Sequence, residues 1–251
     1  METMRKWLKL SLCCMILPLT ATAVWAAGQA GKILSPTDAW NLTWDEVLWD
    51  LWIIGGVFGI VAIYLLIKYR AKSPDAVGTA KPMSLGLALA WVLIPSAIFM
   101  ADDFLLAAKG WSLWNIQRKV PEGAMEVRVT GNQWFFEYDY GNGVTDTELT
   151  VPVGKPVVLR MTSNDVIHSF GLIEFRLKED VMPGRITHLW FYPDKPLDTK
   201  VVCVEFCGNS HSEMYNVVRA VPQAEYDAWL KKKLEKKKAE LSQPAAAQAT
   251  R

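Results

Sequence analysis

Twelve residues near the C-terminal end, Cys203-Val-Glu-Phe-Cys207-Gly-Asn-Ser-His211-Ser-Glu-Met214, set two thiols, an imidazole and a thioether at steps of four, four and three. Soft thiolate and thioether sulfur with imidazole nitrogen favour copper over calcium, magnesium or manganese. A second thiolate exceeds what a mononuclear blue-copper loop uses, so the pair points to two bridged copper ions. Two other readings share the same residues. Cys203 and Cys207 could close a disulfide in an oxidising compartment, which leaves His211 and Met214 without a role. With one more histidine they could form a structural zinc site, which leaves Met214 without one.

A fourth strong donor has to come from elsewhere, and the chain has three histidines. His168 sits in Asp165-Val-Ile-His-Ser-Phe170, at the end of an expected strand, where an adjacent turn could bring it to the loop. His188 sits inside Ile186-Thr-His-Leu-Trp190, a regular strand pattern with no other ligand type nearby. We therefore read His168 as the ligand and His188 as a structural or surface residue.

The elements that must carry this loop divide by composition. Val47 to Tyr69 is almost wholly apolar apart from Asp50, and Met83 to Ala101 is uncharged and apolar, each long enough to cross a bilayer. They predict a hairpin of two transmembrane helices, at about 47–69 and 83–106. Its connection holds Lys68, Arg70, Lys72 and Lys81 against Asp75, so the positive-inside rule places the loop in the cytoplasm and both chain ends outside. Trp40, Trp44, Trp111 and Trp114 fall where interfacial aromatics belong. Two buried helices of a soluble protein would need a larger surrounding core than the remaining residues supply.

Positions 1–26 read as a secretory signal peptide: Arg5, Lys6 and Lys9, then an apolar run from Leu10 to Val24, then small residues. Its removal would take Cys13 and Cys14 and leave Cys203 and Cys207 as the mature cysteines. Leu12 ahead of Cys13 fits a lipobox poorly. The formal charge of +1 does not suggest a nucleic-acid binder. Basic residues cluster at 231–238, in an expected C-terminal helix within 223–251 that ends in a disordered tail. That run reads as a solvated face, with contact to anionic lipid as the alternative.

From about residue 121 the hydrophobic period changes to alternation. Met125, Val127 and Val129 interleave with Glu126, Arg128 and Thr130, and Val157, Leu159 and Met161 form a second such run. Further strands are expected at 133–140, 166–173, 185–192, 200–205 and 215–221, separated by turns such as Gly141-Asn-Gly143 and Pro183-Gly184. Many short strands imply a two-sheet sandwich or barrel over 121–222. The cysteine-rich stretch would then join two neighbouring strands, with Cys203 ending one and Met214 starting the next.

In combination these residues resemble subunit II of the haem-copper cytochrome c oxidases. The hairpin, the Gly131-Asn-Gln-Trp134-Phe-Phe-Glu-Tyr138 segment, the run from His168 through Lys178, Asp180 and Pro183-Gly184, and the metal loop carry the likeness over nearly the whole mature chain. The resemblance implies a cupredoxin-like Greek-key sandwich holding the binuclear copper centre CuA. Cys203 and Cys207 would bridge both coppers, His168 and His211 would each bind one, and Met214 and the Glu205 carbonyl would be weaker ligands. It also implies a magnesium ion held partly by the Glu205 carboxylate, with an ordinary interface hydrogen bond as the alternative. Trp134 would be the electron entry point from cytochrome c, although by strand parity it shares a face with Phe136, Tyr138 and Tyr140 and could be core. Glu137, Asp139, Asp146, Glu148, Glu174 and Glu213 are candidates for steering a basic donor.

The implied protein is a subunit of a respiratory oxidoreductase in a bacterial inner membrane, with its C-terminal domain in the periplasm. Its partners would be the catalytic subunit I bearing haem and copper, further oxidase subunits, cytochrome c and membrane lipid, with no nucleic acid. The sequence departs from the family pattern at Ala88, often a glutamate serving a proton channel, at Glu213, usually aromatic, and at Ile173, commonly proline. A CuA subunit of a nitric oxide reductase would use the same copper ligands. A membrane-tethered copper storage or delivery protein would need exposed, exchangeable ligands.

Overall fold

Ser35 opens the first described element by capping it: its hydroxyl accepts from Asp38 N while Asp38 reaches back to the Ser35 backbone, and Pro36 supplies a preset φ at the first turn. The helix α1 that follows spans Pro36–Lys68, and α2 spans Leu85–Arg118 from an N-cap at Ser84. The computed structural model describes residues 34–78 and 82–242. The expected signal peptide, 1–26, and the far C-terminal tail lie outside the described residues.

Both helices contain windows apolar enough to cross a membrane, with mean hydropathy 2.2 and 1.8. At 33 residues α1 is about 50 Å long, well beyond the hydrocarbon thickness of a bilayer. The helices therefore extend past the expected ranges, α1 beginning at 36 rather than 47 and α2 ending at 118 rather than 106. Hydropathy reads only the lipid-facing part. The extension is held instead by the capping box and by an ion pair between Lys109 of α2 and Glu46 of α1.

The remainder forms two five-stranded sheets. The first, in the order β3-β2-β1-β5-β8, uses β1 Met125–Asn132, β2 Phe135–Asp139, β3 Thr145–Asp146, β5 Val157–Ser163 and β8 Thr187–Phe191. The second, β4-β10-β9-β6-β7, uses β4 Leu149–Pro152, β6 His168–Leu172, β7 Leu177–Val181, β9 Leu197–Cys203 and β10 Tyr215–Val221. β1 with β5 and β4 with β10 are parallel pairs, and the other pairings are antiparallel. The expected fold class, a helical hairpin followed by an all-β sandwich, is borne out.

Alternation builds the core. Val127, Val129, Phe136, Tyr138, Leu159, Met161, Phe170, Phe191 and Val201 face inward and are fully buried or nearly so. Asn216 of β10 ties the two sheets, accepting from Phe136 N at 3.0 Å and donating to Phe136 O at 3.2 Å. Tyr138 is fully buried and its hydroxyl has no hydrogen-bond partner among the described residues. Removing a stranded hydroxyl recovers desolvation cost without opening a cavity. Tyr138→Phe should thus raise stability by about 1 kcal/mol, read from denaturant unfolding; a loss of similar size would mean the hydroxyl has a partner.

The hairpin is fastened to the sandwich at the end of α2, where four carbonyls lack intrahelical donors. Trp190 Nε1 donates to Ile116 O at 2.9 Å, and His188 Nε2 lies 3.3 Å from Arg118 O, a geometry that calls for the proton on Nε2. Arg118 also pairs with Glu179 at 2.8 Å. His188 thus serves this junction. A third helix, α3 Gln223–Ser242, packs Tyr226 and Trp229 beside Tyr140. Its lysines are not all solvated, since Lys233 bonds Asp146 and Lys237 bonds Gly143 O.

Candidate metal centre

β9 ends at Cys203 and β10 begins at Tyr215, so residues 204–214 form the connection between two paired strands. The strand on the other side of β9 is β6, in the register Phe170↔Cys203, which sets His168 at the same end of the sheet as the loop. Chain separation is thereby removed: the His168 Nδ1 lies 3.9 Å from Cys203 Sγ. Cys203 Sγ is 3.8 Å from Cys207 Sγ, and Cys207 Sγ is 3.5 Å from His211 Nδ1 and 3.6 Å from Met214 Sδ. The Cys203 thiol donates to the Glu205 carbonyl at 3.2 Å.

Both cysteines are free and buried, and His168 and Met214 are almost fully buried. The His168, Cys203 and Cys207 donor atoms lie within 4.8 Å of one another and can hold a metal. Two sulfurs bound to one first-row metal, each at about 2.3 Å, can be no farther apart than about 4.6 Å, and the thiols here meet that condition. Burial, then the neighbouring Cys203 thiol, pushes the Cys207 thiol up to about 11. Two adjacent buried thiols cannot both ionise without a compensating cation, and a soft metal provides one. The donor set therefore fits copper.

Asp165 fixes which face of His168 is offered. Its Oδ1 is 2.7 Å from His168 Nε2, so a proton on that nitrogen leaves Nδ1 free toward the sulfurs. Burial raises the Asp165 carboxyl, but hydrogen bonds from His168, Gln133 N, Val166 N and Ser163 outweigh it, and the net shift is downward. This carboxylate was not singled out in the sequence, where an acid three residues before a histidine carries no distinctive signal.

Trp134 is not on the buried face that parity suggested. Gln133 and Trp134 form a turn between β1 and β2, and the alternation that buries Phe136 and Tyr138 starts only at Phe135. The indole is 38% exposed beside the metal loop. Gly208, at φ +122°, lies so close that an added Cβ would sit 2.9 Å from Gln133 Nε2 and 3.3 Å from Trp134 Nε1. Glu205 is exposed, while its carbonyl accepts from the buried Cys203 thiol.

Residues 142–221 match the family model for the periplasmic domain of cytochrome c oxidase subunit II. Cytochrome c oxidase subunit 2 of Cereibacter sphaeroides is 30% identical over 233 residues, covering 71% of this chain and 74% of that protein. The haem-copper oxidase subunit 2 of Aeropyrum pernix is 30% identical over 210 residues, covering 72% of this chain and 88% of that protein. The chain belongs to the cytochrome c oxidase subunit II family. Among solved structures, the periplasmic domain of subunit II of cytochrome oxidase from Bradyrhizobium japonicum is similar at 30% identity and a TM-score of 0.44, over 47% of this chain and 99% of that one.

As a subunit II, the chain is part of an oxidoreductase, a haem-copper oxidase. Gly131 of this subunit II explains how His168 reaches the thiols: a Cβ there would lie 2.9 Å from His168 Cδ2 and 3.1 Å from Val181 Cγ1. Gly131→Ala should therefore push the imidazole off its position, lowering copper retention and costing about 1–3 kcal/mol of stability. Copper content after dialysis and an unfolding curve check both effects; unchanged copper would show that the ring has room to move.

Proposed function

We propose that this subunit accepts electrons from cytochrome c at a CuA centre and passes them to a haem-bearing catalytic subunit. The reading is carried by the convergence, in a member of this family, of two buried free thiols, two imidazoles and a thioether on one loop and its neighbouring strand. Cys203 and Cys207 would hold two copper ions between them, with His168 and His211 as terminal ligands and Met214 and the Glu205 carbonyl as weaker ones. Bound there, the copper pair supplies one-electron exchange with the charge shared over two metals.

The rest of the work falls to the chain. Phe136 packs edge-on to His168 with centroids 6.1 Å apart, and buried Met214 closes the loop, so water is kept from the thiolates. Asp165 holds the imidazole in one orientation and one tautomer. Trp134 presents its indole both to solvent, where a donor docks, and to Gly208 of the metal loop. The exposed Glu205 carboxylate supplies a hard oxygen suited to magnesium at the junction with the catalytic subunit.

The basic loop between α1 and α2 favours a cytoplasmic connection, which sets the sandwich in the periplasm of a bacterial inner membrane. Of the candidate acids for donor steering, Asp146 and Glu148 are engaged by Lys233 and Arg219, whereas Glu137 and Glu213 are exposed. The test is turnover of the purified complex with reduced cytochrome c. Oxygen consumption matched to cytochrome oxidation is the expected result; nitric oxide consumption in place of oxygen, or no cytochrome oxidation, contradicts it.

A further inference from the structure

The entry tryptophan stands on a turn that the hydrophobic core does not hold. Gln133, Trp134, Phe135, Asn164 and Asp165 are all exposed, so packing alone leaves the indole free to shift. What restrains it is a polar network joining three segments distant in sequence. Asp165 Oδ2 accepts from Gln133 N at 2.7 Å, while Oδ1 of the same carboxylate pairs with His168 Nε2 at 2.7 Å. Gln133 Nε2 donates to the Cys207 carbonyl at 2.7 Å. Beside them, Asn164 N donates to Gly131 O at 3.0 Å and Asn164 Nδ2 to Asn132 Oδ1 at 2.9 Å.

We propose that Gln133 and Asp165 are positioning residues for electron entry, bracing the Trp134 turn against both ligand-bearing segments. The inference rests on the metal-centre reading above. Asp165 makes the backbone ahead of Trp134 and the His168 ring share one carboxylate, so neither moves without the other. The Gln133 amide closes the other side, and a path of covalent bonds with one hydrogen bond then runs from Trp134 to the Cys207 main chain. Electron transfer falls steeply with separation, so a turn loosened by an ångström slows entry without touching a metal ligand. Gly208 belongs to the same device, since any side chain there would strike the Gln133 amide.

The test uses the intact oxidase complex carrying Gln133→Met, which keeps chain length and removes the donor, and separately Asp165→Asn, which keeps volume and removes the charge. Four quantities are measured: copper per complex, the copper paramagnetic resonance spectrum, the melting temperature, and the rate of electron entry from reduced cytochrome c resolved into kcat and KM. The expected result for Gln133→Met is unchanged copper, spectrum and melting, with kcat lowered at least about tenfold and KM little altered. For Asp165→Asn the same slowing is expected with an altered spectrum, because the His168 ring loses its charged acceptor.

Entry at the unaltered rate in both variants overturns the proposal. So does a rise in KM at constant kcat, which would make Gln133 a docking contact, and so does loss of copper in Gln133→Met, which would make it a support for the ligands alone. Absence of a copper pair from the unaltered complex is a different failure, that of the metal-centre reading itself.

Discussion

Cys207→Ser should abolish electron entry while leaving the sandwich folded. Cys207 Sγ is the hub of the donor cluster, lying 3.8 Å from Cys203 Sγ, 3.5 Å from His211 Nδ1 and 3.6 Å from Met214 Sδ. Serine fits the space, but a hydroxyl is a hard donor that stays protonated and matches copper poorly. Loss of a residue that merely orients a ligand costs 10- to about 100-fold, so loss of Cys207, in its proposed role as a bridging ligand, should cost at least the upper figure. The folded state gives up only the burial of one poorly partnered hydroxyl, about 1–3 kcal/mol. The check is paired: circular dichroism of the variant, and copper content with turnover of the complex. Two coppers and normal turnover in Cys207→Ser would remove the thiol from the site.

Trp134→Ala should give the second largest loss, and a different pattern. Among the described residues no hydrogen bond or ring pair joins the indole to the thiols or imidazoles, so copper content should be that of the unaltered protein. Its 38% exposure on a turn means that truncation costs little folding stability, within about 0.5 kcal/mol of a surface substitution. Entry from cytochrome c should nevertheless fall about 100-fold, the scale on which misplacing or removing a positioned group acts. Trp134→Phe should recover part of that loss, since a ring remains beside Gly208. Rapid mixing of reduced cytochrome c with the complex measures it. A normal rate in Trp134→Ala would place the entry point elsewhere.

The donors were readable in the sequence because cysteine, histidine and methionine are chemically distinctive and their spacing is tight. Choosing His168 over His188 needed only the absence of other ligands near the latter, and the structure shows His188 at the end of α2, occupied with the Arg118 carbonyl. Asp165, Gln133 and Gly131 were not legible as parts of the site, because their roles depend on the β1–β2 and β5–β6 turns meeting the loop from other parts of the chain. Trp134 was ambiguous for a related reason: parity predicts a face only within a strand, and the turn at 133–134 resets it.

The fold was legible where burial is one-sided and obscure where it is not. β1 and β5 alternate plainly, but β4 is buried at all four positions and β7 is charged at three of five, so neither shows a period of two. β3, with two residues, has no pattern to show. The helix ends went unread because hydropathy stops at the lipid boundary while Ser35, Glu46 and Lys109 carry the helices on.

The most direct test of the central claim is metal analysis of the intact complex purified with this subunit, combined with electron paramagnetic resonance. Two coppers held by this chain are expected, with an oxidised spectrum whose hyperfine pattern comes from one electron shared by two equivalent copper nuclei. A single copper, zinc alone, or Cys203 and Cys207 joined in a disulfide would contradict it.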